Sequence, residues 1–265
     1  MAAGALSAYM LLGRDDGALP ESGAAAVDEP ERAHSAVGPT VEAGPFEISI
    51  EASVSLPPDL AEGAPEREFE GEGVFDPEAG ASAITFDWGT IPNGFSSLGH
   101  VDEVDVVYTG EDYLATFDGL ERFTRGAEWM GFTLTAFYEP PGSASDEGQL
   151  RELAFVDPSF ALDLLHGLDG TSSTLQDAAE ISGSKILAFL SSELGIKEIQ
   201  LQVQTDDSNV VRTLSYEIRY PPALKDNPDV TLDVEMTFEK ADEANVAEPR
   251  RSDVLDWPDF VTHSF

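Results

Sequence analysis

The chain has 265 residues and a formal net charge of −37, from 51 acidic and 14 basic side chains. A surface of that sign repels phosphate backbones and anionic membranes, which argues against nucleic-acid binding and against unanchored membrane contact. There is no cysteine, which excludes disulfides, thiolate metal sites, a cysteine nucleophile and lipid attachment through cysteine.

The hydrophobic share of 42% can furnish a core, and a globule of this length removes roughly 70–75% of its extended surface from water. Like charges at this density oppose compaction, and salt screens them. A very salty milieu is the simplest explanation, and a secreted protein with disordered acidic ends is the alternative. Composition divides the chain into residues 1–44, a short apolar segment plus a flexible acidic linker, and residues 45–262, a single β-rich domain.

Ala2 to Leu12 is apolar but too short to span a bilayer, and no basic residue precedes it. Three readings compete: the remnant of an export signal or anchor, a short element packed on the body, or a stretch without a role. Residues 13–44 are rich in Gly, Ala, Pro, Ser and Glu without an apolar period, as in a linker. Order begins at "FEISIEASVSL". Phe46, Ile48, Ile50, Ala52, Val54 and Leu56 alternate with Glu47, Ser49, Glu51, Ser53 and Ser55, the period-two pattern of a half-buried strand. "REFEGEGVFD" follows with Phe69 and Phe75 inward, and its glycines predict a curved or bulged strand. "ASAITFDW" puts Ile84, Phe86 and Trp88 on one face. "EVDVVY" and "YLATF" read as a hairpin turned by "TGED". Residues 119–132 read as loop with a helical turn, and "FTLTAFYEP" as a weak strand.

"DPSFALDLLHGLDG" is the clearest helix. Asp157 is an N-cap and Pro158 fits the first helical position. Phe160, Ala161, Leu164, Leu165 and Leu168 share a face, with closure at Gly167 or Gly170. "SKILAFLSSELG" reads as a second short helix. Three strands end the domain. In "KEIQLQVQT", Ile199, Leu201 and Val203 point inward. In "VVRTLSYEIRY", Val210, Leu214, Tyr216, Ile218 and Tyr220 do so, with Arg212 interrupting that face and reaching solvent. In "VTLDVEMTF", Val230, Leu232, Val234, Met236 and Phe238 are inward. Connections this short imply antiparallel pairing. "DDSN" reads as a hairpin turn rather than a cation site. From Ala241 the chain reads as irregular, with Val254, Leu255, Trp257 and Phe260 able to fold back onto the body.

No catalytic signature stands out. His34, His100, His166 and His263 have no metal spacing, and the nucleophile-elbow, Walker A and dinucleotide patterns are missing. Acidic pairs carry no information among so many acids. The expectation is a non-enzymatic protein without metal or cofactor. The fold class expected is α+β: a strongly curved antiparallel sheet with short helices packed in its concave face. Helices that short cover only part of such a sheet, and an apolar space left between the layers suits an apolar ligand.

The order of these elements resembles the LolA/LppX-like lipoprotein superfamily, most closely its secreted or lipid-anchored members of the mycobacterial LppX/LprG type. The hairpin "VDVVYTGEDYLATF", the "GAEWM" stretch around Trp129, and "VDPSFALDLLHGL" with Asp157, Pro158, Leu162 and Leu165 carry the resemblance. So do "LQVQTDDSNVVRTLSYEI" with Arg212 and Leu214, and "VTLDVEMTF". The resemblance covers roughly residues 44–260. The lipidated cysteine of anchored members has no counterpart, and "STLQDAAEISG" stands where the family has a strand with a glycine and an aromatic residue. The resemblance implies a half-open barrel and an extracytoplasmic carrier or sensor of a lipid or other apolar small molecule. Membrane tethering through an incompletely represented N-terminus is one expectation, and a cytoplasmic address is the other. The expected lining is Ile48, Ile50, Phe86, Phe160, Leu164, Leu201, Leu214, Tyr216, Val234 and Met236, with the Tyr216 hydroxyl able to orient a head group. Each CH₂ sequestered there contributes about 0.8 kcal/mol. The alternative is a structural or interaction module of the cell envelope, with an envelope protein as partner and no ligand; a monomer is expected under either reading.

Overall fold

The computed structural model describes residues 35–55, 67–87, 103–109, 112–122, 124, 126–133, 155–167, 187, 199–220 and 230–256. Ten strands form one open mixed sheet: β1 (Phe46–Ser55), β2 (Arg67–Asp76), β3 (Ala81–Asp87), β4 (Glu103–Tyr108), β5 (Asp112–Thr116), β6 (Trp129–Thr133), β7 (Ile199–Thr205), β8 (Val211–Tyr220), β9 (Val230–Lys240) and β10 (Val254–Asp256). The spatial order is β10-β6-β5-β4-β3-β2-β1-β9-β8-β7. Each neighbouring pair is antiparallel except β10 with β6. Among the described residues two short helices accompany the sheet, α1 (Val37–Ala43) and α2 (Pro158–Gly167). The class is α+β, as expected.

The alternation of β1 sets the pattern for its neighbours. Phe46, Ile48, Ile50, Ala52 and Val54 are buried, while Glu47, Ser49 and Glu51 are exposed. Pairing extends each inward residue into a row across the sheet. The longest runs Phe238, Ile48, Gly73, Ile84, Val106, Ala115, Met130, Leu255. The next runs Val203, Leu214, Met236, Ile50, Gly71, Phe86, Val104. Gly71 and Gly73 interrupt these rows for a steric reason. A Cβ on Gly71 would lie 2.6 Å from the Phe86 ring, and one on Gly73 would lie 2.1 Å from the Ala83 carbonyl oxygen. β2 and β3 approach so closely that only glycine fits. The β2 ladders run without a register shift, so the expected alternative of a bulge gives way to curvature.

Several expectations are corrected. A strand at Trp129–Thr133 covers the end of the stretch read as loop, after a 3₁₀ turn at Leu120–Arg122; of the strand expected at 132–140, residues 132 and 133 belong to it and the rest lie outside the described residues. Five residues are too few to display a period. The irregular tail holds a 3₁₀ turn (Arg251–Asp253) and β10, which adds to the edge of β6 in parallel. That edge pairing gives the sheet its mixed character. The linker read up to residue 44 ends in α1. Its Thr40 hydroxyl donates to the Ala36 carbonyl at 2.7 Å and accepts from the Val211 amide at 3.0 Å. Arg212 reaches solvent, as expected, and its Nε and Nη2 also donate to Asp206 Oδ2 at 3.0 and 2.7 Å. A register shift between Gln204 and Thr205 rotates the start of β8, burying Val211 and turning Arg212 toward the hairpin. The "DDSN" turn forms as expected. Asp206 Oδ1 accepts from the Ser208 and Val210 amides at 2.8 and 3.1 Å, and Asn209 takes φ 62°. Burial pushes the Asp206 carboxyl up, but those amides and Arg212 outweigh it and hold it below its usual value. The second predicted helix, apart from a buried, helical Leu187, lies outside the described residues, as do Leu56, Trp88, Leu168, Trp257, Phe260 and residues 1–34.

The outer face carries the charge. Glu235, Glu51, Glu70, Asp87 and Glu103 stand directly opposite one another across five strands. Like charges in cross-strand positions oppose pairing, and ions in solution relieve them.

Two predictions follow from these geometries. Gly73→Val should lower unfolding free energy by at least about 1–3 kcal/mol in urea titrations. Glu51→Gln should stabilise the fold by a few tenths of a kcal/mol in dilute buffer. In molar salt the same comparison should give no difference.

Candidate functional site

The candidate site is the junction between α2 and the inner face of the sheet. Asp157, Pro158 and the apolar residues that follow build the helix. The Asp157 carboxylate caps the first turn, with Oδ1 accepting from the Ser159 amide at 3.2 Å. The helix is buried on more than one side: Pro158, Phe160, Ala161, Leu162, Leu164, Leu165 and Gly167 are all inaccessible. Leu162 lies off the predicted stripe, yet it too is buried.

Two hydrogen bonds fasten this segment to distant strands. Ser82 Oγ of β3 donates to Asp157 Oδ1 at 3.2 Å. The Tyr216 hydroxyl of β8 donates to the Phe155 carbonyl oxygen. Four strand steps separate β3 from β8. The row containing Ser82 crosses β1 at Phe46 and the row containing Tyr216 crosses it at Ala52. In a flat sheet those positions would lie about 28 Å apart. Two hydrogen bonds, the side chains involved and the backbone from Phe155 to Asp157 reach about 22 Å. The sheet therefore curves toward α2. Aromatic contacts fill the junction: Phe160 packs edge-on against Tyr216 and tilted against Phe155, both at 5.9 Å between ring centroids.

The ten residues expected to line a ligand space fall on this inner side. Leu214, Met236 and Ile50 are consecutive in one row, and Phe86 continues it beyond Gly71. Leu201, Tyr216 and Val234 are consecutive in the next, and Ile48 sits in the long row beside Gly73. Phe160 and Leu164 come from α2. Nine are buried and Leu201 is half-buried. The Tyr216 hydroxyl is already engaged with Phe155, which removes the expected reason to assign it a head group.

The residue that sequence reasoning undervalued is Asp157. It is only 3% exposed. Its second carboxylate oxygen, Oδ2, has no hydrogen-bond partner among the described residues, and neither has Ser159 Oγ. Desolvation raises the carboxyl from 3.8 to about 7. The amides of Ser159 and Phe160 and the Ser82 hydroxyl pull against that rise, and Asp163 adds to it. Desolvation, and then the charge of Asp157, push the Tyr216 phenol well above its ordinary value. The capping signature was visible in "DPSF"; the burial was not, because Ser82 lies 75 residues away.

A second feature lies mainly among outward-facing side chains. A depression of about 670 Å³ is lined by Glu51, Glu68, Glu70, Glu217, Asp233 and Glu235, with polar Gln200, Gln202 and Ser215 among them. It is polar, unlike the apolar space expected. Among the described residues no cluster of three metal-ligating side chains occurs, and no helix is long and apolar enough to cross a membrane.

A crystal structure of a LolA superfamily protein from Nitrosomonas europaea is similar at 9% identity and a TM-score of 0.32, covering 82% of this chain and 97% of that one. This likeness is too distant to assign a family. No protein-family model matches the sequence, and the comparison with curated proteins finds no match.

The buried carboxyl predicts a pH dependence with a definite sign. An unfolded Asp157 loses its proton near pH 3.8 and the folded one near 7. A folded pKa above the unfolded one means that stability falls as pH rises through that interval and levels off above it. The loss should be up to about 4 kcal/mol. Asp157→Asn should remove that component, so wild type should weaken relative to the variant between about pH 4 and pH 7 in denaturant titrations.

Proposed function

We propose that this protein is a non-enzymatic, extracytoplasmic carrier or sensor that holds a lipophilic ligand between the inner face of the sheet and α2. One observation carries the reading. An apolar face ten strands wide is crossed by a helix of ten residues. Across its strands the sheet measures about 43 Å, whereas the helix is about 15 Å long. Among the described residues α2 crosses a minority of that face, and an acyl chain is well suited to share the cover of the rest. The curvature supports a half-open barrel with α2 in its mouth. Ile48, Ile50, Phe86, Phe160, Leu164, Leu201, Leu214, Tyr216, Val234 and Met236 are the proposed lining. The outer acidic rows support a salt-rich working environment and argue against nucleic acid as a partner.

A second reading is a ligand-free structural or interaction module of the cell envelope. The observation in its favour is the aromatic filling around Phe155, Phe160 and Tyr216, which gives that part of the junction a side-chain core.

Mass spectrometry of an organic extract from protein purified in high salt should detect a co-purifying lipid under the carrier reading. Leu164→Trp adds bulk at the helix–sheet contact. It should abolish lipid uptake while the strand signal in circular dichroism persists. An extract free of lipid, together with wild-type behaviour of the variant, would favour the module.

A further inference from the structure

The first turn of α2 presents an unusual pair of atoms to an otherwise apolar interior. Asp157 Oδ1 is used twice, by Ser82 and by the Ser159 amide. Oδ2 is buried without a partner among the described residues, as is Ser159 Oγ two residues on. A buried polar atom without a hydrogen bond costs free energy, and a carboxyl oxygen more than most. The helix dipole adds a positive field at the same place. The cap itself accounts only for Oδ1.

We propose that the first turn of α2 is the head-group subsite of the carrier: Asp157 Oδ2 and Ser159 Oγ anchor an uncharged, hydroxyl-bearing head while the acyl chain lies along the apolar rows. This inference rests on the carrier reading above. Charge and chemistry choose the head. A carboxylate or phosphate head offers no donor to Oδ2 and meets the charges of Asp157 and Asp163. An ammonium head would have to shed its hydration shell in a site with one carboxylate, at a cost of several kcal/mol. A hydroxyl needs neither concession. It donates to an ionised carboxylate and accepts from a protonated one, so it serves a group that titrates near neutrality. Ser159 Oγ supplies the second bond, donating to an ester carbonyl or accepting from a second hydroxyl. A monoacylglycerol presents both groups close together.

The experiment uses the full chain in high salt with diphenylhexatriene as a fluorescent hydrocarbon probe. The probe is displaced by 1-monooleoylglycerol, oleate or oleylamine. Wild type should bind the probe, and the glycerol lipid should displace it at a concentration about tenfold or more below either charged lipid, the factor one good hydrogen bond supplies. In folded Asp157→Leu that preference should be lost. Ser159→Ala, a smaller change that leaves the Asp157 cap in place, should reduce it a few-fold and serves if the leucine variant does not fold. If wild type fails to bind the probe, the carrier reading falls and the head-group subsite falls with it. If the probe binds but the preference is missing, or persists unchanged in the folded variants, only the subsite is overturned. Stronger displacement by oleylamine would overturn the hydroxyl assignment.

Discussion

The fold depends on a clamp formed by two side chains reaching up from the sheet. Tyr216 holds the carbonyl of Phe155, and Ser82 holds the carboxylate of Asp157. Those anchors sit four strands apart and six residues out of line along β1. A stretch of three residues can meet both only if the sheet bends beneath it. The bend in turn requires β2 to give way where it meets β3, and Gly71 and Gly73 are the residues that let it. Position, curvature and helix packing are thus one constraint, met by residues scattered over more than 140 positions of sequence.

The same sheet has to reconcile a closed interior with a net charge of −37. It does so through the strict two-residue period. In β1, β2 and β9 carboxylates alternate with apolar or glycine positions, so the rows of opposite character are one residue apart. A slip of one residue would carry Glu51, Glu70 and Glu235 inward and Ile50 and Met236 outward, an exchange no interior tolerates. High charge therefore fixes the register as firmly as the apolar residues do. Its cost is the run of facing carboxylates on the outer side, which water and dissolved cations must screen.

How far the sequence reveals this depends on whether a feature is local. Strands β1, β3, β4, β7, β8 and β9 are long enough, or alternate cleanly enough, for their inward residues to be named from spacing alone. The hairpins at "TGED" and "DDSN" carry their own turn chemistry. β6 and β10 are short and stabilised by edge pairing rather than by pattern, so neither announces itself. α1 contains Gly38 and Pro39 in seven residues and owes its place to Thr40 meeting the Val211 amide from a distance. Asp157 is legible as a cap from its neighbours, whereas its burial is a tertiary property. Arg212 reaches solvent as its spacing suggested, whereas its ion pair with Asp206 goes with a register shift in the hairpin that the local pattern does not announce.

Capping and burial make different demands on Asp157. A serine or asparagine caps a helix about as well as aspartate, and neither brings an ionisable group into an apolar interior. Capping explains one oxygen, the one shared by Ser82 and Ser159. It leaves unexplained why the position should bear a second oxygen whose desolvation lifts the carboxyl to about 7. The helix N-terminus and its amides favour a charge there, but the charged side chain nearby is Asp163, and no basic side chain is among the groups acting on the carboxyl. Among the described residues nothing supplies a hydrogen bond to that second oxygen. Under the proposed head-group subsite, a donor carried in on an apolar body would meet both that oxygen and the apolar rows around it, joining the polar atom and the apolar face in one binding surface.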